Sequence, residues 1–154
     1  MRRLAFQGHA LVILLVLGLA APGPAQGQAG AAQEAAPKGD LDYAQVLFVR
    51  ATRAASGTWS FAVTVRHNDE GWEHYADAWQ IIDPESGTVT AERVLAHPHG
   101  DEQPFTRTLG GVRIPPGATK VIVRARCNLH GFGGQEVLVD LRSSAGESFE
   151  VSIR

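Results

Sequence analysis

The sequence predicts an all-β domain, an immunoglobulin-like antiparallel β-sandwich of seven or eight strands. Three observations carry this expectation. Apolar and polar residues alternate over short runs, as where Trp59, Phe61, Val63 and Val65 interleave with Ser60, Ala62, Thr64 and Arg66. Clusters of turn formers, such as Asp83-Pro84-Glu85-Ser86-Gly87 and Pro115-Pro116-Gly117, separate the runs. Helical spacing of apolar residues is nowhere sustained. Short strands punctuated in this way are the signature of a sandwich.

Taken in order, Val46 and Phe48 mark a first strand and Trp59 to Arg66 the second. Tyr75 to Ile82, containing Trp79, makes the third, and Thr88 to Leu95 the fourth. Pro104 to Leu109 is the fifth. Val121, Val123 and Ala125 alternate with Ile122, Arg124 and Arg126 in the sixth. Glu136 to Leu141 is the seventh and Phe149 to Ile153 an eighth. Trp59, Phe61 and Trp79 are expected to be core aromatics.

The domain occupies residues 41–154. Ahead of it, Arg2 and Arg3 precede an apolar run from Ala10 to Ala21 and then Pro22-Gly23-Pro24-Ala25. This pattern reads as a signal peptide, residues 1–25, cleaved after Ala25 or Ala29, and predicts a secreted or periplasmic protein. An uncleaved anchor is the alternative, but the run is short for a membrane span. No cysteine follows it, so a lipid anchor is not expected. Residues 26–40, rich in Ala, Gln and Gly, read as a flexible tether.

Loss of Arg2 and Arg3 with the leader leaves 12 basic against 16 acidic side chains, a mildly acidic domain. That balance argues against a nucleic-acid partner, and against an anionic membrane once the signal is cleaved. No phosphate-binding glycine loop, serine nucleophile elbow or dinucleotide fingerprint is present.

The chain has one cysteine, Cys127, which an exported protein cannot place in an internal disulfide. It stands in Cys127-Asn128-Leu129-His130-Gly131, where Asn128 and Gly131 suit a left-handed turn backbone. Beyond the leader, the remaining histidines are His67, His74, His97 and His99. Thiolate and imidazole are the usual ligands of zinc, copper and non-haem iron. Each pair alone is a weak signal, since a buried free cysteine or a loop histidine is common. Strand counting strengthens it. Successive antiparallel connections alternate between the ends of a sandwich, so residues 67–74, 96–103 and 127–134 fall at one pole. All five histidines and the cysteine are then expected together. Asp69-Glu70 and Asp101-Glu102 read as solvated turns.

The motif Cys127-Asn128-Leu129-His130-Gly131 resembles the Cys-Asn-x-His-Gly signature of the superoxide reductase family, the neelaredoxins and desulfoferrodoxins. His67, a short spacer and His74-Tyr75-Ala76-Asp77-Ala78-Trp79 resemble that family's upstream His and His-Tyr-x-x-x-Trp. The resemblance spans roughly residues 58 to 135. It implies an immunoglobulin-like iron domain in which Cys127 is the catalytic axial thiolate and His67, His74 and His130 are equatorial ligands of a mononuclear non-haem iron. It also implies one-electron reduction of superoxide to hydrogen peroxide, with electrons from an unknown donor. A thiolate opposite an open position enriches the iron in electron density and favours release of peroxide.

The chain departs from the family's pattern: its spacer between His67 and His74 is longer than usual, it lacks the cysteines of the rubredoxin-like iron domain that some members carry, and one loop differs. Near Val46-Leu47-Phe48 it has neither the histidine nor the lysine of the family's Glu-Lys-His segment. The pole argument offers His97 or His99 as the fourth imidazole, and Arg66 or Arg126 as the positive charge. Two other functions stay open: a non-catalytic module holding copper, zinc or iron, and a metal-free immunoglobulin-like accessory or binding module.

Overall fold

The computed structural model of the chain describes residues 41–154. The expected leader and tether lie outside the described residues. The domain is all-β, two sheets packed as a sandwich. Its strands are β1 (Gln45–Arg53), β2 (Trp59–Arg66), β3 (Ala76–Ile82), β4 (Val89–Val94), β5 (Phe105–Val112), β6 (Lys120–Cys127), β7 (Val137–Asp140), β8 (Ala145–Gly146) and β9 (Phe149–Ile153). One sheet has the order β5-β2-β1-β9-β8 and the other β4-β3-β6-β7.

Each strand anticipated from the alternation is present, and the two-residue β8 adds a small hairpin against β9. One pairing departs from the antiparallel expectation: β9 lies parallel to β1, with Val49 opposite Phe149 and Arg53 opposite Ile153. The chain leaves β7 for the other sheet and enters it through β8, and this fixes the direction of β9.

The alternation does the packing. In β2 every second residue, Trp59, Phe61, Val63 and Val65, is buried, and in β6 so are Val121, Val123, Ala125 and Cys127. Trp79 and Ile81 of β3, Val46, Val49 and Ala51 of β1, and Val139 of β7 complete the core between the sheets. A side chain such as Phe61, wholly withdrawn from water, contributes about 1.5–3 kcal/mol.

The inward phase runs past the strand ends. His67 follows Arg66 and keeps the phase of Val65, so it is buried at the top of the core. Cys127 is the last inward residue of β6 and is fully buried. The two come from different sheets, so the interior at this pole ends in an imidazole and a thiol rather than in aliphatic side chains. β3 reaches the same end, where Ala76 pairs with Cys127. A bulge between Ala76 and Ala78 breaks the register there, and a second lies in β1 between Val46 and Phe48. Bulges of this kind re-aim strand ends. The start of β1 belongs to this pole too, since Gln45 pairs with Arg66.

Candidate metal centre

Ligand atoms of His67, His74 and Cys127 all lie within 4.8 Å of one another, and all three residues are buried. Nitrogen and sulfur donors about 2.1 and 2.3 Å from a shared ion stand about 3–3.6 Å apart at right to tetrahedral angles, so a modest contraction of the three side chains makes this a ligand triad. The sequence therefore brings together, across 60 residues of chain, three of the residues named from its motifs.

Both imidazoles are oriented by carboxylates of their own loop. Nδ1 of His67 is 2.7 Å from Oδ1 of Asp69, and Nδ1 of His74 is 3.3 Å from Oε2 of Glu70. A carboxylate accepts only, so each Nδ1 carries the proton, the arrangement metal-binding histidines commonly adopt; Nε2 of His74 is then left as the donor to a cation, while Nε2 of His67 lies 3.2 Å from the Asp42 carbonyl oxygen. Nε2 of His74 is buried with no hydrogen-bond partner among the described residues. A buried polar nitrogen left in this way is costly unless something fills the space before it. The rings of His67 and His74 meet edge to face, with centroids 4.8 Å apart.

Asp69 corrects the sequence reading. It is no solvated turn residue, since its side chain is wholly inaccessible. Oδ1 also accepts the Ala76 N–H at 3.1 Å, and Oδ2 accepts the His99 N–H at 2.6 Å. Burial alone would raise its pKa, but these hydrogen bonds, with that from His67, outweigh it and hold the carboxyl below the usual aspartate value. One buried carboxylate thus ties together the loop after β2, the start of β3 and the loop before β5. Asp101 and Glu102 are exposed, as anticipated.

His130 stands beside the triad and not in it. Its Nδ1 is 3.7 Å from the Cys127 sulfur, and its backbone N–H points to the same sulfur at 3.5 Å. Its ring meets that of His74 edge to face at 4.9 Å. The 3.7 Å between Nδ1 and the sulfur is close to the separation of nitrogen and sulfur donors bound to one ion at roughly tetrahedral angles. The turn is closed by reciprocal backbone hydrogen bonds between Cys127 and Gly131, and Gly131 has φ 76°.

Asn128 does not take the left-handed backbone expected of it, because glycines alone have positive φ among the described residues. It clamps instead. Its Oδ1 accepts the Tyr75 N–H at 2.9 Å and its Nδ2 donates to the Trp72 carbonyl at 3.0 Å. The Asn128 N–H donates to the Tyr75 carbonyl at 3.0 Å. The two ligand loops are joined through this one residue. Exposed Trp72 and Leu129 flank the join.

His97 and His99 reach the same pole, but neither belongs to the triad. His99 is buried with its ring stacked on Phe105, centroids 4.0 Å apart, and its Nδ1 is 3.9 Å from Asp69. It meets the centre through that carboxylate. Burial first, then the charges of Arg107 and His97, push its pKa below the ordinary histidine value. His97 is exposed and stacks on His99 at 4.5 Å. Of the two arginines considered for positive charge, Arg126 is committed to Asp77, at 2.9 and 2.7 Å.

The chain matches no protein-family model. It is 39% identical over 106 residues to a protein of Halomicrobium mukohataei provisionally named a lipoprotein, an alignment covering 69% of this chain and 51% of that protein. The chain thus spans about half the length of this curated relative. Among solved structures, a superoxide reductase (1Fe-SOR) from Giardia intestinalis aligns with TM-score 0.38 and 15% identity, over 63% of this chain and 99% of that one. An overlay of that quality bears on neither ligands nor activity.

Proposed function

We propose that this chain is an exported mononuclear metal protein in which His67, His74, His130 and Cys127 hold one iron ion, and that it reduces superoxide to hydrogen peroxide. The observation that carries the reading is the buried triad of His67, His74 and Cys127, its donors within 4.8 Å and its imidazoles oriented by Asp69 and Glu70. The paired sequence motifs favour iron, and the leader-like N-terminal segment and the provisional name of the Halomicrobium relative favour export. Iron, when bound, supplies the electron that turns superoxide, with two protons, into hydrogen peroxide.

The chain's own part is to build the cage. Cys127 contributes a sulfur that accepts the His130 N–H, which tempers its charge. Asp69 and Glu70 fix the tautomers of His67 and His74, and Asn128 fixes the distance between the two loops. A second reading, copper or zinc held without turnover, is favoured by the triad itself, since two imidazoles and a thiolate bind copper ahead of iron.

Metal analysis and visible spectroscopy of protein purified from the periplasm decide between the readings. The ferric protein is expected to show a thiolate-to-iron charge-transfer band that Cys127→Ser abolishes. A superoxide competition assay should yield peroxide without dioxygen, and equal rates in His67→Ala, Cys127→Ser and the parent would exclude the centre from the reaction. A parent protein that takes up neither iron, copper nor zinc would overturn both readings.

A further inference from the structure

The carbonyl oxygen of Asp42, just before β1, lies 3.2 Å from Nε2 of His67 and 3.0 Å from Nδ1 of His130. We propose that this backbone carbonyl is itself a ligand of the ion, an oxygen in place of a fourth imidazole. The inference rests on the metal-centre reading above and adds a donor that no residue-type pattern reveals.

Two lines of geometry carry it. Donors about 2.1 Å from one ion and at right angles to each other stand about 3 Å apart, which matches both Asp42 distances. The second is convergence: Nε2 of His67 and Nδ1 of His130, ring nitrogens from two different loops, approach this one oxygen, and Cys127 and His130 adjoin each other through the sulfur–Nδ1 contact of 3.7 Å.

The carbonyl is also held in place from both sides. The Leu41 carbonyl accepts the Asn68 N–H at 3.2 Å, from the loop that carries His67. The Tyr43 carbonyl accepts from the Gln45 side chain at 2.9 Å, and the Tyr43 ring lies 5.8 Å from that of His130. Gly133 leaves room for that ring, since any Cβ there would overlap it. Asp42 is thus pinned between the two ligand loops, with its main chain turned to the centre and the residue exposed. Hard carbonyl oxygen beside imidazole and thiolate suits a divalent first-row ion.

The test replaces Tyr43 by its α-hydroxy acid in the full-length chain, turning the Asp42–Tyr43 amide into an ester with a weaker carbonyl acceptor. Zn²⁺ affinity, measured by chelator competition, is expected to fall on the order of 10-fold, as when groups supporting a bound metal are lost. Asp42→Ala keeps the carbonyl and should lose less Zn²⁺ affinity than the ester does. A loss in Asp42→Ala equal to that of the ester would assign the role to the carboxylate and overturn the proposal. An ester variant binding as tightly as the parent, or tighter, overturns it too. The chain contains a single Asp-Tyr pair, so ¹³C-carbonyl aspartate with ¹⁵N-tyrosine isolates this carbonyl in the unmodified protein. Its carbon resonance should shift in step with one equivalent of Zn²⁺, and a stationary signal contradicts coordination. If the unmodified protein fails to bind Zn²⁺ at all, the metal-centre reading falls, an outcome separate from the failure of the Asp42 assignment.

Discussion

Nδ1 of His67 and Oδ1 of Asp69 lie 2.7 Å apart, and neither side chain touches solvent. A charged acceptor buried two residues from the imidazole it orients is a local device. It requires only that the chain turn sharply after β2, and it survives whatever the distant loops do. Three further features of the centre follow from it: the tautomer of His67, the anchoring of β3 at Ala76, and the seat of His99.

Removing the charge of Asp69 should therefore loosen the centre without emptying it. Asp69→Asn is expected to lower Zn²⁺ or Fe²⁺ affinity about 10–100-fold, the range for lost partners of metal-bound histidines. Chelator competition measures this. Glu70→Gln should cost less, because Glu70 is exposed and its contact with His74 is longer, 3.3 Å.

Asn128→Ala removes the two side-chain hydrogen bonds that join the ligand loops. At about 0.5–1.5 kcal/mol for each bond, the metal-free protein should lose about 1–3 kcal/mol in urea denaturation. Metal affinity should fall with it. Leu129→Ala, next along the turn and exposed, should change neither.

The pKa of His99 is pushed down from 6.5 by burial and by the neighbouring cations. The folded state then takes its proton less readily than the unfolded chain, so this group adds a loss of stability as the pH falls below about 6.5, continuing until its folded pKa is reached. His99→Gln should flatten the pH dependence of metal-free unfolding below about pH 6.5 by up to one proton. An unchanged slope would contradict the assignment. His97→Ala, exposed and outside the triad, should leave metal affinity as it is.

Gly134 packs against the backbone of Ala44, where a Cβ would overlap the carbonyl group itself. Gly134→Ala must push the start of β1 away from the loop after β6. A lower thermal midpoint and weaker Zn²⁺ binding are expected together, since Asp42 moves with that segment. Gly87→Ala, in an open turn at the other pole, should lower stability by strain at its φ of 70° and leave Zn²⁺ affinity unchanged.

The parts legible in the sequence are those that side-chain identity encodes. Alternation over Trp59–Val65 and Val121–Ala125 located β2 and β6, and extending the same phase by one step marks His67 and Cys127 as inward residues. Strand parity then gathered the loops at one pole. Asp69 was misread because a carboxylate in a polar loop looks solvated until the backbone N–H groups of His99 and Ala76 are seen to converge on it. Asn128 was read for its backbone tolerance when its amide was the operative group. The Asp42 carbonyl had no signal, because every residue carries one and only the folded path decides which carbonyl meets two imidazoles. His97 and His99 show the resolution of the parity argument: it assigns a pole, and packing against Phe105 decides what lies beside the His67, His74 and Cys127 triad.

β9 lies parallel to β1, the strand whose entry carries Asp42. Until residues 149–153 emerge, β1 has one unpaired edge, and the five-stranded sheet lacks its closing member. Synthesis from the N-terminus presents the histidines, the cysteine and Asp42 before the strand that closes β1, so the five-stranded sheet gains its last neighbour on that edge only once residues 149–153 are in place.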